Sequence, residues 1–257
     1  MGDLILNQAK VLDHLGGVWL MILLVFIRIF AFAATAPLLG NKQIPALVKI
    51  GFSIIITLII FPLLDTVQEY PRGYKFIYLL LLNSLIGMLI GWVASLVLEI
   101  GRIGGEMLDM QMGLNAATIF DPASQSQSTI IGHFFSMLSL TLFVSLGGME
   151  KLIEALYKSF DTFPIIIYQL NFNVEKLIRA TGDILSIGFL IVSPIIMIVL
   201  ALDLILGLMS RAAPQINAFQ VSFTIKPTVG IVLILVLLPT MIEIFARLFS
   251  NPLKYLY

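Results

Sequence analysis

The chain contains no cysteine and only two histidines, His14 and His133, among 257 residues. Disulfides, thiolate metal sites and cysteine nucleophiles are thereby excluded, and neither histidine has sequence neighbours that would complete a metal site. Charge is scarce as well. Asp, Glu, Lys and Arg make up 12% of the residues, and 15 basic side chains balance 15 acidic ones. No bulk field exists to attract nucleic acid, so no nucleic-acid partner is expected. The sequence lacks a Gly-rich phosphate loop, an H-E-x-x-H and a G-x-S-x-G. The hydroxyls of "SQSQST" (Ser124–Thr129) have no base beside them, and His133 just past that polar stretch reads as a packing or helix-end residue. Neither enzymatic activity nor a cofactor is expected. A soluble domain is missing too, since the longest connection runs only from Gly147 to Asp183.

What the chain does have is apolar length. It is 59% hydrophobic, with a mean hydropathy of +1.04. Runs of about 20 apolar residues mark membrane helices, because backbone polar groups in lipid must be satisfied within the segment. Six regions qualify: Leu15–Leu39, Ile44–Leu64, Phe76–Leu98, Ile130–Leu146, Ile184–Met209 and Val221–Phe245. The fold class is all-α, a polytopic membrane protein. The N-terminal stretch carries Asp3 and Asp13 and no A-x-A-like site, so it is not expected to be a removable signal. Lipidation at Gly2 is not expected either.

Proline punctuates the runs. Pro37, Pro45 and Pro62 bracket the second, Pro194 interrupts the fifth, and Pro214, Pro227 and Pro239 fall in the last stretch. Each removes a donor and kinks a helix, so kinked helices or broken helical hairpins are expected, with Pro122, Pro194 and Pro214 as structural breaks. Region four is short for a span, and such helices are tolerated at membrane depth where protein or a cavity covers the freed backbone. Alternating the connections places Lys10, Arg72, Lys75, Lys151, Lys158, Lys176, Arg179, Arg247 and Lys254 on the side of both termini. Lys42, Lys49, Arg102, Arg211 and Lys226 fall on the other side. That bias favours cytoplasmic termini, though the long fourth connection supplies much of it.

Gly87, Gly91 and Ser95 recur at four-residue intervals, as do Gly101 and Gly105. Small residues at this spacing allow close helix packing; in a glycine-rich membrane chain the same spacing also arises by chance. Arg28 lies near the centre of the first apolar run, where an arginine costs about 2.5–3.5 kcal/mol. It must meet an acid, carbonyls or water inside an assembly. Asp203 poses the same problem with opposite sign, and a pair between the two is one solution. Glu99, Arg102 and Glu106 fall at i, i+3 and i+7, which predicts a self-neutralised helix face.

"EMLDMQMGLNAATIFDP" (Glu106–Pro122) is too polar for lipid and too apolar for a loop. Wound as a helix, it puts Glu106, Asp109, Gly113 and Ala116 on one side, Met107, Met110 and Leu114 on another, and Gln111, Asn115 and Thr118 on a third. Two readings fit: a segment lining a protein-walled cavity, with methionine as a deformable constriction, or a buried helix with methionine as filler. Asp121-Pro122 is expected to end the element.

This stretch resembles the central motif of the FliR/SctT family of type III secretion export-gate subunits, through Gly105-Glu106, Gln111-Met112-Gly113-Leu114, Ala117-Thr118 and Asp121-Pro122. "RIFAFAATAPLLGNKQIPALVKIG" is similar to the family's N-terminal pattern. "LGLMSRAAPQINAFQVSFTIK", with Arg211, Ala213-Pro214-Gln215, Asn217 and Phe219, is similar to its C-terminal signature. One departure is Gly147-Gly148-Met149, where flagellar members read Asn-Gly-His or Asp-Gly-His; Gly-Gly-Met resembles the injectisome relatives.

The resemblance implies a single export-gate domain over residues 1–257, with a FliP-like part over roughly 1–180 and a FliQ-like helical hairpin over roughly 181–257. It implies a flagellar type III export gate at the bacterial inner membrane, in the flagellar basal body. There the chain would pack into a helical assembly with FliP-like and FliQ-like gate subunits. FlhB-like and FlhA-like export components, unfolded flagellar proteins as cargo and membrane lipid would be its other partners. It also implies a channel plug around Gln111–Pro122, with Met110, Gln111, Met112, Gly113, Leu114, Asn115, Ile119 and Phe120 as gate residues. Arg28, Glu106, Asp203 and Arg211 would be charges buried in the assembly. The alternatives are the homologous subunit of a virulence injectisome and, more remotely, a secondary transporter using Arg28 and Asp203 as a midplane site, for which no repeat of two halves is apparent.

Overall fold

A computed structural model of the chain describes residues 2–41, 43–64, 73–114, 129–168, 174–215 and 217–250. Among them the regular structure is helical throughout: α1 (Gly2–Thr35), α2 (Ala46–Ile60), a 3-10 turn (Phe61–Leu63), α3 (Tyr74–Met112), α4 (Ile130–Ser145), α5 (Gly148–Thr162), α6 (Val174–Ala212) and α7 (Ala218–Ser250). Five stretches are long and apolar enough to cross a membrane: Gly16–Thr35, Ala46–Leu63, Tyr74–Met112, Thr181–Ala212 and Ala218–Phe249. The fourth apolar region is helical but, at 16 residues, reaches span length only when taken with α5 as one broken span. The chain is a multi-pass helical membrane protein.

Two compact units divide these elements. Unit 1 comprises Met1–Ser95 and Met149–Asn173, and unit 2 comprises Leu96–Gly148 and Val174–Tyr257. In unit 1, α1 packs on α2, and Leu24, Val25, Ile29 and Phe32 of α1 and Leu79 and Ile86 of α3 are buried. α2 is inverted relative to a soluble helix. Its buried positions are Ser53, Thr57 and Ile60, while Ile54, Ile55, Leu58 and Ile59 point outward. The two hydroxyls donate back to the carbonyls of Lys49 at 2.7 Å and Ser53 at 2.6 Å, so they cost nothing unsatisfied when buried. In unit 2, α6 packs on α7 and α4 on α7. An aromatic stack runs along that second contact: Phe143 meets Phe249 edge-on at 5.7 Å, and Phe249 stacks with Phe245 at 5.9 Å.

α3 is a 39-residue helix, about 58 Å long at 1.5 Å per residue, which is nearly twice the hydrocarbon thickness. The third apolar region was expected to end near Leu98, yet the helix continues because its charges neutralise one another. Arg102 donates to both Glu99 and Glu106. Lys49, Arg102 and Lys226, assigned above to connections, therefore lie inside helices, and the charge tally between the two sides loses its footing. α5 was not expected as a helix. Its signal is amphipathic: Leu152, Ala155, Leu156 and Phe160 are buried, while Glu154 and Lys158 pair at 2.6 Å on the exposed face.

Prolines act in two ways. Pro214 lies in the short connection between α6 and α7. Pro194, Pro227 and Pro239 lie within helices that run on past them. At Pro194 the carbonyl of Leu190 loses its usual N–H partner, and the Ser193 hydroxyl donates to it instead at 2.9 Å.

The glycines of α3 are contact points. A Cβ at Gly87 would overlap the Arg28 carbonyl, and one at Gly91 would overlap the Thr35 hydroxyl and lie 2.7 Å from the Phe32 carbonyl. The Thr35 hydroxyl reaches across to the Met88 carbonyl at 3.0 Å. Further along, Gly101 lies against Ser139 and Phe135, and Gly105 lies where a Cβ would sit 2.6 Å from the Gly132 Cα. Gly91→Leu is expected to destabilise the chain by about 1–3 kcal/mol or more through overpacking. Gly51→Ala, where nothing lies within 4 Å, should be neutral or stabilising by up to about 1 kcal/mol. Thermal unfolding of the detergent-purified variants checks both, and equal midpoints would contradict the contact.

Candidate functional site

Unit 1 centres on Arg28, which is fully buried with no acid among its hydrogen-bond acceptors in the described residues. Its Nε and Nη2 donate to Asn83 Oδ1 at 2.9 and 2.6 Å. Nη1 donates to the carbonyls of Ser159 at 3.2 Å and Phe163 at 2.8 Å, and Nη2 donates to that of Pro164 at 3.3 Å. The guanidinium lies 4.2 Å from the Phe160 ring centroid. Three of these acceptors are carbonyls at and just past the carboxyl end of α5, the negative end of its dipole. The countercharge is therefore a helix terminus and a ring face. Asn83 is oriented by its own amide, which donates to the carbonyls of Leu79 at 2.8 Å and Ile165 at 3.0 Å. The sequence reading missed Asn83, whose signal was a lone amide inside "FIYLLLLNSLIG".

In unit 2, α3 ends at Met112, inside the motif stretch. Gly113 has φ +77°, and the chain closes there with the Leu114 N–H donating to the Asp109 carbonyl at 3.0 Å and the Gly113 N–H to that of Met110 at 3.2 Å. This is a Schellman end, which glycine allows at no steric cost. Asp121-Pro122, expected to end the element, is not among the described residues. Asn115, Ile119, Phe120 and Pro122 lie outside the described residues.

Each side chain of the last turn meets something different. Asp109 is buried, and its Oδ2 accepts from the N–H groups of Ile131 at 3.0 Å and Gly132 at 2.9 Å. It caps α4 from another helix, in place of Thr129, whose own side chain makes no cap bond. Met110 is 72% exposed, whereas Met112 is buried, with its thioether where a side chain on Gly230 would be. Gln111 Nε2 donates to Asp203 Oδ2 at 3.4 Å, and Asp203 forms an ion pair with Lys226 of α7. The partner of Asp203 within its own unit is therefore Lys226. The signal for Lys226 was a cation among the apolar residues of "FTIKPTVG". Arg211, in the last turn of α6, is exposed in the chain alone, and Glu106 is half-buried.

Arg28→Ala is expected to cost about 3–5 kcal/mol, since it takes the guanidinium donors from the buried Asn83 Oδ1 and from the part-buried carbonyls of Phe163 and Pro164. Arg28→Lys should recover only part, because an ammonium has three donors and no planar fork. The unfolding midpoint of the purified chain measures this. An alanine variant within about 0.5 kcal/mol of the parent, the size of an ordinary surface substitution, would contradict the cage.

A family model described as bacterial export proteins, family 1, matches residues 19–251. Over 226 residues the chain is 33% identical to the flagellar biosynthetic protein FliR of Escherichia coli (strain K12), covering 88% of this chain and 87% of that protein. FliR of Bacillus subtilis (strain 168) is 29% identical over 232 residues, covering 89% and 90%. The surface presentation of antigens protein SpaR of Shigella sonnei is 30% identical over 164 residues, covering 63% and 64%. With its full-length helical architecture and a match over nearly its whole span, the chain belongs to the FliR/SctT family of bacterial export proteins.

Proposed function

We propose that this chain is a core subunit of the flagellar type III export gate. With FliP-like and FliQ-like subunits it would form the channel through which unfolded flagellar proteins cross the bacterial inner membrane, fed by FlhA-like and FlhB-like components. The observation that carries this reading is similarity to flagellar FliR proteins over nearly the full length of both chains. The packing of α6 on α7 supports a FliQ-like hairpin over roughly 181–257. The whole chain, residues 1–257, then acts as one gate domain, with the FliP-like part over roughly 1–180.

The plug belongs to this reading. Gln111 and Met112 are held by the chain's own α6 and α7, so they anchor the plug, and Met110 is the methionine free to meet the channel. The seal itself would fall to Met110, Leu114, Ile119 and Phe120. Arg28 would serve assembly by holding α1, α3 and the end of α5 in one unit, while Arg211, exposed in the lone chain, would find its partner in the complex. A second reading, the injectisome subunit, is favoured by SpaR and by Gly147-Gly148-Met149.

Deleting the gene and assaying the medium separates the two. Loss of hook and filament proteins, restored by the intact chain, is the expected result. Normal flagellar export with loss of virulence effectors would transfer the assignment to the injectisome. Deleting residues 115–118, which leaves the Schellman end intact, is expected to raise ion leakage through the assembled gate several-fold. Unchanged leakage would remove the plug role.

A further inference from the structure

The last turn of α3 is joined to α6 and α7 differently from the rest of unit 2. At Gly101 and Gly105, α3 meets α4 at backbone distance, and at Gly104 it meets Gly188 of α6 in the same way. About two turns further on, Gln111 and Met112 touch α6 and α7 through flexible side chains. Gln111 reaches Asp203 at 3.4 Å, near the outer limit of a hydrogen bond. Asp203 is ion-paired with Lys226, and its side chain keeps 36% of its surface exposed, so solvent weakens the pair. Met112 fills a socket that only glycine leaves open, its Sδ 2.6 Å and its Cγ 3.0 Å from the Cβ position of residue 230. Methionine suits a contact that is made and unmade, being unbranched and polarisable.

The Schellman bonds make the end of α3 complete in itself, so parting from α7 would not fray the helix. Asp109 meanwhile keeps α3 tied to α4 through two charge-assisted bonds. One side of this turn is therefore held firmly and the other lightly.

We propose that the Gln111–Asp203–Lys226 clasp and the Met112–Gly230 socket form a releasable latch. It holds the end of α3 on the α6–α7 hairpin while the export path is closed and lets go when the path opens. The inference rests on the gate reading above and adds the residues that position its closing segment. Asp203, Lys226 and Gly230 act here as positioning residues.

The absence of native cysteine allows a direct test. Met112 Cγ lies 3.0 Å from the Cβ position of residue 230, so the two Cβ atoms are at most one carbon–carbon bond further apart. That is compatible with the separation of about 3.5–4.5 Å that a disulfide spans. For the double variant Met112→Cys/Gly230→Cys, expressed in place of the parent chain, export of hook and filament proteins under reducing conditions sets its own reference level. Under oxidant its export should fall at least about tenfold, the size of effect one lost conformational step can impose. Single-cysteine variants should not respond. Full export by the cross-linked chain would overturn the latch.

If the reduced double variant fails to export, Asp203→Asn and Lys226→Met decide the question in complexes that still copurify. Each should raise ion leakage several-fold, and unchanged leakage in both overturns the proposal. A deletion strain that exports normally would instead remove the gate reading itself. A strain that needs the chain but exports through the cross-linked form removes only the latch.

Discussion

The constraint on which unit 1 depends is one guanidinium in an apolar helix. Arg28 cannot be left in hydrocarbon, and among the described residues no carboxylate accepts from it. The solution spends the carboxyl end of α5 as a partial negative charge and an amide from α3 as a bidentate acceptor. Several features then follow. α5 must be a helix that ends beside α1, and the chain after it must turn so that the carbonyls of Phe163 and Pro164 face inward. Asn83 must stay in place, because its own amide ties the same loop through Ile165. Pairing with neutral dipoles avoids the desolvation of a second buried ion, a cost that often cancels the attraction of a buried salt bridge.

Unit 2 is organised by the far half of α3. Its charged stretch neutralises itself through Arg102, which lets the helix carry on beyond its apolar part. Gly101, Gly104 and Gly105 then bring two neighbouring helices to backbone distance. The motif stretch is polar on several sides for a concrete reason: each face meets a different partner. Asp109 caps α4, Gln111 reaches Asp203, Met112 enters a glycine socket, and Met110 faces outward. Met112 sits as a buried packing residue, whereas Met110 is exposed in the single chain.

How much was legible in the sequence varies with the kind of interaction. Apolar runs located the apolar part of each spanning helix, closely for Ile130–Ser145, because span length is a property of composition, while α1, α3 and α6 run well beyond their apolar parts. The Glu99–Arg102–Glu106 pairing was legible because i, i+3 and i+4 neighbours are fixed by helical geometry. The partners of Arg28 were not, since three are backbone carbonyls that leave no mark in a residue pattern. α3 runs on past Leu98, where its apolar region was expected to end, because Gly113 and not the loss of apolar character stops the helix. α5 escaped notice because its short amphipathic repeat lay in a connection read as loop. Membership of the family came from three ordered motifs, which physics alone would not have joined.

Many apolar side chains remain uncovered in the single chain, among them Leu47, Leu204, Leu235 and Val236, and lipid or neighbouring subunits must cover them. The most direct test of the whole account is a structure of this chain coexpressed with FliP-like and FliQ-like subunits. The account predicts one complex with an axial channel, the Arg28 cage intact and the Met110–Leu114 turn facing that axis. Failure of the chain to copurify with those coexpressed subunits, or a complex in which this turn faces lipid, would contradict it.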